Sequence, residues 1–247
     1  YDSRSGRFIT EDPAQDGFNW YVYAANNPIS FVDPWGLTIT ASLADKDAVL
    51  AQLQQLTDDK LDFEVITDDD GNETDTYQLV IEETYSTDRH VGQTLIHDLV
   101  DSDEVINIQI GVDKIGNTWS TDNAQLIVYT NPDDVLQIDT KAAYVQNSNG
   151  DVLEEDIPDY IHLGHELVHA WRNINGMRIT AVNRNGLDPY TGLSISEEEL
   201  QTTGLNYTDP IGNPRRNYAS YNGIISENGL RIENGLNTRI SYSYVDR

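Results

Sequence analysis

Cysteine is absent from all 247 residues. Its absence removes disulfides, thiolate metal ligands and a cysteine nucleophile, so any metal site must be built from His, Asp, Glu or water. Basic residues are scarce: 15 Lys and Arg stand against 42 Asp and Glu, for a formal charge of −27. A surface of that sign repels nucleic-acid phosphates and anionic lipid, so neither is expected as a partner. The charge reads as a solubility device before it reads as recognition of a basic substrate. Runs of about 18 apolar residues are also missing, so no membrane span is expected. What is there is adequate for a core, with 38% hydrophobic residues. The chain opens on Tyr1 with no charged-then-apolar leader, and reads as a piece of a longer protein.

Two compositions share the chain. Residues 1–37 are rich in Gly, Asn, Pro, Asp and aromatics and read as short strands joined by turns. From Thr38 the pattern is that of an ordinary mixed domain. Val49, Leu50, Leu53 and Leu56 recur at helical spacing over 43–57, with Ser42 and Asp45 as a capping box. Residues 61–67 and 75–82 read as a hairpin around "DDDGNE". That acidic turn fails as an EF-hand loop, because Gly71 in sixth position would put Ile66 in the first. A second helix covers 87–100, with Val91, Leu95, Ile96 and Leu99 inward. Strands follow near 104–111, where Ile106, Ile108 and Ile110 alternate, and near 124–130 and 140–147. Helices are expected around 159–175 and 195–203. The order predicts an α+β domain with a mixed sheet and one long histidine-bearing helix.

That helix carries "HLGHELVHAW". His165 and His169 stand four apart, hence one above the other on one helix face, where both imidazoles can reach one ion. Glu166 lies beside the first and can accept the proton of an attacking water, whose pKa zinc lowers. Pro158 suits the first turn, and Leu163, Leu167, Val168 and Trp171 supply apolar faces. Three helix histidines in succession are not a usual zinc set, so His162 reads as a bystander. His90 and His97 read as surface or satisfied core residues. A catalytic zinc takes three protein ligands and keeps an open position, so a third ligand must come from elsewhere. "SEEELQTTGL", residues 196–205, offers one; read blandly, it is a capped helix with glutamates in its first turn.

Two resemblances extend these readings. Tyr1-Asp2, Gly6-Arg7-Phe8, Asp12-Pro13, Asn26-Asn27-Pro28 and Asp33-Pro34-Trp35-Gly36-Leu37 resemble the C-terminal end of an Rhs/YD-repeat core. That resemblance implies residues 1–37 as the end of the Rhs shell and 38–247 as a zinc metallopeptidase toxin domain behind it. It also implies Asp12 and Asp33 as an acid pair for self-cleavage between Leu37 and Thr38, although Gly17 is displaced from the usual DPxG spacing. Paired carboxylates that share a proton can activate water. The HExxH motif followed by "EELQTTG" is similar to gluzincin peptidases of the clostridial neurotoxin light-chain type and to NleD-like secreted effector peptidases. The likeness implies a zincin-like fold, a Zn2+ cofactor and Glu199 as third ligand. It implies Glu198 as a partner of a ligating histidine, and Arg239 with Tyr242 beside the scissile carbonyl, where they would stabilise the oxyanion. Arg231 and Glu233 could instead pair with each other. The function implied is a secreted toxin delivered into a target cell, cleaving a protein there, with an immunity protein as a further partner. An extended substrate would lie along an edge strand, within 140–147. The alternatives are a non-catalytic zinc-binding module and a shell-associated structural piece.

Overall fold

The computed structural model describes residues 39–68, 70–102, 105–110, 116–119, 126–130, 142–179, 184–215 and 225–244. Two compact units divide the chain, Tyr1–Leu37 and Thr38–Arg247. Asp12, Asp33, Leu37 and Thr38 lie outside the described residues, as does the whole first unit.

The second unit is α+β. A six-stranded mixed sheet has the order β2-β3-β1-β4-β6-β5. Its members are β1 (Ile39–Ser42), β2 (Lys60–Thr67), β3 (Glu73–Glu83), β4 (Ile106–Ile110), β5 (Gly116–Trp119) and β6 (Leu126–Thr130). β1, β4 and β6 run parallel, with antiparallel neighbours on both flanks. Alternation makes one face of β2 apolar: Leu61 and Phe63 are buried while Asp62 and Glu64 face water. On β4, Ile106 and Ile108 are buried in the same way.

Helices α1 (Lys46–Leu53) and α2 (His90–Val100) connect strands of this sheet. The box expected ahead of α1 forms only in part: the Asp45 N–H donates to Ser42 Oγ at 3.2 Å, but Ser42 Oγ takes the Asp45 carboxylate for itself at 2.8 Å, and Asp45, the N-cap, makes no side-chain capping bond. Val49, Leu53, Leu56, Val91, Leu95, Ile96 and Leu99 are all buried. Each such side chain contributes about 1.5–3 kcal/mol on leaving water. Both helices pack against α3 (Asp159–Ile174), which also touches α4 (Glu197–Thr203) and α5 (Glu227–Glu233).

One glycine is required for this packing. A Cβ on Gly92 would stand 1.7 Å from the carbonyl oxygen of Leu56, a backbone atom with no room to yield. Next to it, Glu233 of α5 accepts the N–H groups of Val91 and of Gly92, the latter at 2.9 Å, and so caps α2, whose own N-cap side chain makes no capping bond. Glu233 is therefore engaged with α2, and Arg231 pairs with Glu227 instead of with Glu233.

Two small sheets complete the unit. One has the order β13-β7-β8, from β7 (Ala142–Gln146), β8 (Val152–Asp156) and β13 (Thr238–Tyr244). β7 is its central strand, bonded on both sides, so the expectation that residues 140–147 receive a substrate strand fails. The other has the order β10-β9-β11-β12, from β9 (Asn185–Leu187), β10 (Ser194–Ser196), β11 (Tyr207–Thr208) and β12 (Pro214–Arg215).

Three hairpins close with one chemistry. The turns Asp68–Asn72, Asn147–Asp151 and Asp209–Asn213 each hold two residues and a left-handed glycine between their ends, with Gly φ of 81°, 89° and 92°. The last residue donates its N–H to the first side chain's Oδ1, at 2.8, 2.9 and 2.7 Å. A side chain–side chain bond between the same two residues then occupies a second polar position, at 3.2, 3.1 and 3.1 Å.

Candidate active site

Helix α3 positions two of the key side chains. Pro158 is its N-cap, with φ −60° and ψ 143°, one residue outside the first turn, and Asp159 opens the helix where its charge suits the dipole. Ile161, Leu163, Leu167, Val168 and Ala170 are buried. His165 and His169 share the buried side, at 7% and 6% exposure. Their rings stand 4.9 Å apart at 78°.

Helix α4 brings the third. Its N-cap Ser196 accepts the Glu198 N–H, and Gly204 ends it at φ 92°. Glu199 Oε2 lies 3.2 Å from His165 Nε2 and 3.0 Å from His169 Nε2. The three ligand atoms all lie within 4.8 Å of one another. Two ligands on a tetrahedral ion at about 2.1 Å would stand roughly 3.4 Å apart, so the nitrogen–oxygen separations suit one small divalent ion. Among the described residues this is the His/Asp/Glu group of that kind; His162 is half-buried and outside it.

Each imidazole is held from behind by a carboxylate. His165 Nδ1 donates to Glu227 Oε2 at 2.9 Å, across 62 residues of sequence. His169 Nδ1 faces Glu198 Oε1 at 3.3 Å and Thr202 Oγ1 at 3.1 Å. Such bonds fix the ring and turn the Nε2 lone pair toward the shared point. Both carboxylates are themselves anchored. Arg172 donates from Nε and Nη2 to the two oxygens of Glu198 at 3.0 and 3.1 Å, and the Ile179 N–H adds 2.8 Å. Glu227, 1% exposed, accepts Arg231 Nε at 2.8 Å and Arg239 Nη1 at 2.9 Å.

The charges follow from these contacts. Burial pushes the His165 pKa down, but hydrogen bonds to Glu199 and Glu227, with the charges of Glu227 and Glu166, hold it up at about 10. Burial would raise Glu198, yet His169, Arg172 and the Ile179 N–H hold it at about 2. Glu199 and Glu227 are likewise held below the usual carboxylate range, against burial, by the histidines and by Arg239 and Arg231 respectively. Arg172 balances Glu198, and Arg231 with Arg239 balance Glu227. Glu199 meets both histidines, and the charge of Arg178 acts on Glu198, Glu199 and Glu166 together. Two imidazole nitrogens and one carboxylate oxygen are a donor set that could hold a borderline divalent ion.

Tyr242 and Arg239 both sit on β13 but differ in placement. The Tyr242 ring, half-buried, lies 6.2 Å from that of His165. Arg239 is 3% exposed, and its Nε, Nη1 and Nη2 reach Ser241 O, Glu227 and Tyr242 O at 3.1, 2.9 and 2.5 Å. The residues that sequence reasoning passed over are Glu227, Arg172, Thr202 and Asp188; Arg231 was noticed, but with Glu233 as its partner in place of Glu227. One signal was available: Glu227 and Arg231 stand at helical i, i+4 spacing behind Ser226, an N-cap residue.

An α+β unit whose helix-borne histidines converge with a glutamate from another helix has a donor set compatible with a metal ion. Residues 41–242 match the family Peptidase M91, described as effector protein, and the chain belongs to that family of effector peptidases. No curated protein and no solved structure matches it. Among the described residues no helix is long and apolar enough to cross a membrane.

Proposed function

We propose that the chain is a zinc-dependent endopeptidase of the gluzincin type, carried as the payload of an Rhs-type polymorphic toxin and delivered into a target cell to cleave a protein there. The observation that carries this reading is the convergence of both Nε2 atoms on one Glu199 oxygen, with each Nδ1 held by a carboxylate. His165, His169 and Glu199 would hold Zn2+, which when bound supplies Lewis-acid polarisation of a carbonyl and lowers the pKa of a water. Glu166 follows the first of these ligands on the helix. Its carboxylate accepts the proton as water oxygen adds to the peptide carbon, and returns it to the nitrogen as the C–N bond breaks. Tyr242 donates a hydrogen bond to the developing oxyanion. Arg239 acts at one remove: it holds Glu227, and through it His165, and it braces the Tyr242 carbonyl. Glu198 orients His169.

The same reading makes residues 1–37 the end of the Rhs shell, with Asp12 and Asp33 as the acid pair that cuts between Leu37 and Thr38. It adds an immunity protein as a partner in the producing cell. The test compares new protein termini in cells expressing the wild type and Glu166→Gln, alongside zinc content of both purified proteins. The expected result is about one zinc per chain in each and new termini from the wild type alone. New termini at wild-type level from Glu166→Gln would sink the proposal.

A further inference from the structure

Among the described turns, a fourth hairpin turn, between β9 and β10, departs from those three. Asp188-Pro189-Tyr190-Thr191-Gly192 carries one residue more between its aspartate and its left-handed glycine, and Leu193 stands where the others have Asn or Asp. Closure is otherwise alike: the Asp188 N–H donates to Leu193 O at 2.8 Å, and the Gly192 N–H to Asp188 O at 2.9 Å. The Asp188 Oδ1 stays inside the turn, accepting the N–H groups of Tyr190 and Thr191 at 3.1 and 2.9 Å. Leu193 offers no side-chain donor, so Oδ2 is released from the duty it has in the turns that open on Asp68 and Asp209. It leaves the hairpin and reaches β13, accepting the Tyr242 N–H at 2.7 Å and Ser241 Oγ at 3.0 Å. Asp188 is 2% exposed, and although burial opposes it, four hydrogen bonds hold its carboxyl below the usual range. Two further contacts tie the turn to these strands, Thr191 Oγ1 to Ser243 Oγ at 3.3 Å and the ring of Tyr190 to that of Tyr144 at 4.9 Å.

β13 has a register irregularity between Arg239 and Tyr244, at the residues Asp188 grips. Where ladder pairing is interrupted, a strand's backbone must be held by something else. Asp188 does so from the turn that follows β9, and the chain runs from that hairpin directly into Ser196 and the helix bearing Glu199.

We propose that Asp188 is a positioning residue for the peptidase reaction: it fixes the backbone of Tyr242 against the hairpin that leads into the Glu199 helix, and so sets the tyrosine beside His165. This rests on the reading of Tyr242 as the oxyanion's donor. In Asp188→Asn one oxygen becomes an amide NH2, so one of the two donor pairs loses its acceptor.

The test uses the whole chain. Amide exchange followed by NMR should show the Tyr242 N–H exchanging at least tenfold faster in Asp188→Asn, while zinc content is unchanged. On a single peptide selected from a randomised quenched-fluorescence mixture, kcat should fall roughly 10- to 100-fold with KM within about twofold, below the 10²–10³ cost of deleting an oxyanion donor outright. In a Tyr242→Phe background the same change should add less than about twofold, because both act through one group. An unchanged Tyr242 exchange rate, or an equal fall in kcat in both backgrounds, overturns the inference. If Asp188→Asn does not fold, Asp188→Glu, which keeps both oxygens but displaces them by a methylene, takes the same readouts. Failure of the peptidase reading is distinct: it appears as absent cleavage by the wild type, whereas the exchange rate tests the hold of Asp188 by itself.

Discussion

Replacing Glu227 by Gln tests the support of the histidine cluster most directly. Glu227 is 1% exposed and serves three donors at once: His165 Nδ1, Arg239 Nη1 and Arg231 Nε, at 2.9, 2.9 and 2.8 Å. Glutamine keeps the shape but removes the charge, and one of its two ends turns a donor toward donors. The two guanidiniums stay buried, Arg231 at 1% and Arg239 at 3% exposure. Breaking a buried pair by removing one partner costs about 3–5 kcal/mol, because the partner's charge is left uncompensated. Glutamine retains one acceptor, so the lower end, about 3 kcal/mol, applies. In a domain of this size each kcal/mol moves Tm by about 2–4 °C, which gives a drop of roughly 6–12 °C. His165 also loses the bond that orients it, a change that lowers metal affinity about 10- to 100-fold. Thermal melts and zinc competition against a fluorescent chelator measure the two effects. Glu154→Gln, on the exposed strand β8, is the control and should stay within about 0.5 kcal/mol of wild type. A Tm shift under about 2 °C with zinc affinity within about twofold would refute the assignment of Glu227 as the hub.

Three further outcomes follow from other contacts. Gly92→Ala drives a Cβ into the Leu56 carbonyl and should destabilise by at least about 1–3 kcal/mol, read from urea midpoints; a neutral result would mean that α2 does not approach the Leu56 backbone so closely. Asp59 accepts the Tyr85 N–H, Gln93 Nε2 and His97 Nε2, and these bonds outweigh burial to depress its pKa. Its contribution is therefore present above the unfolded value of about 3.9 and lost as pH falls through the folded value, so the stability gap between wild type and Asp59→Asn should be constant near neutrality and shrink in acid. A gap that widens in acid would contradict the sign. Stripping metal with a chelator should lower Tm in wild type and leave His169→Ala unmoved, since only a chain with an intact donor set gains stability from a bound ion.

The core was legible where period and length agreed. Leu95, Ile96 and Leu99 announced α2, and the alternation of Ile106 and Ile108 announced β4, because each segment is long enough for its period to repeat. Of the candidate cluster, His165 and His169 were legible from spacing alone, whereas Glu199 needed the likeness to other peptidases. Helix α5 was not legible. "SENGLRIENGL" has two Asn-Gly pairs that read as turns, and its two turns of helix persist because Leu230 and Arg231 are buried and Ser226 accepts the Gly229 N–H. The strands β9 to β12 are two or three residues long, too short for any period to register. The central place of β7 is set by β13, which pairs with it from some 90 residues downstream, and no local pattern encodes such a pairing.

The support of His165 comes from far along the chain, and that distance sets an order of events during synthesis. His165 leaves the ribosome 62 residues ahead of the carboxylate that orients it. At about 5–20 residues per second the interval is roughly 3–12 s. Through it the helix can exist with its apolar face formed, but the histidine has no Glu227 acceptor and Glu227 no Arg239. The cluster is thus completed only once nearly all of the described chain has been made and has folded back on α3, so an unfinished chain is a chain without its assembled centre.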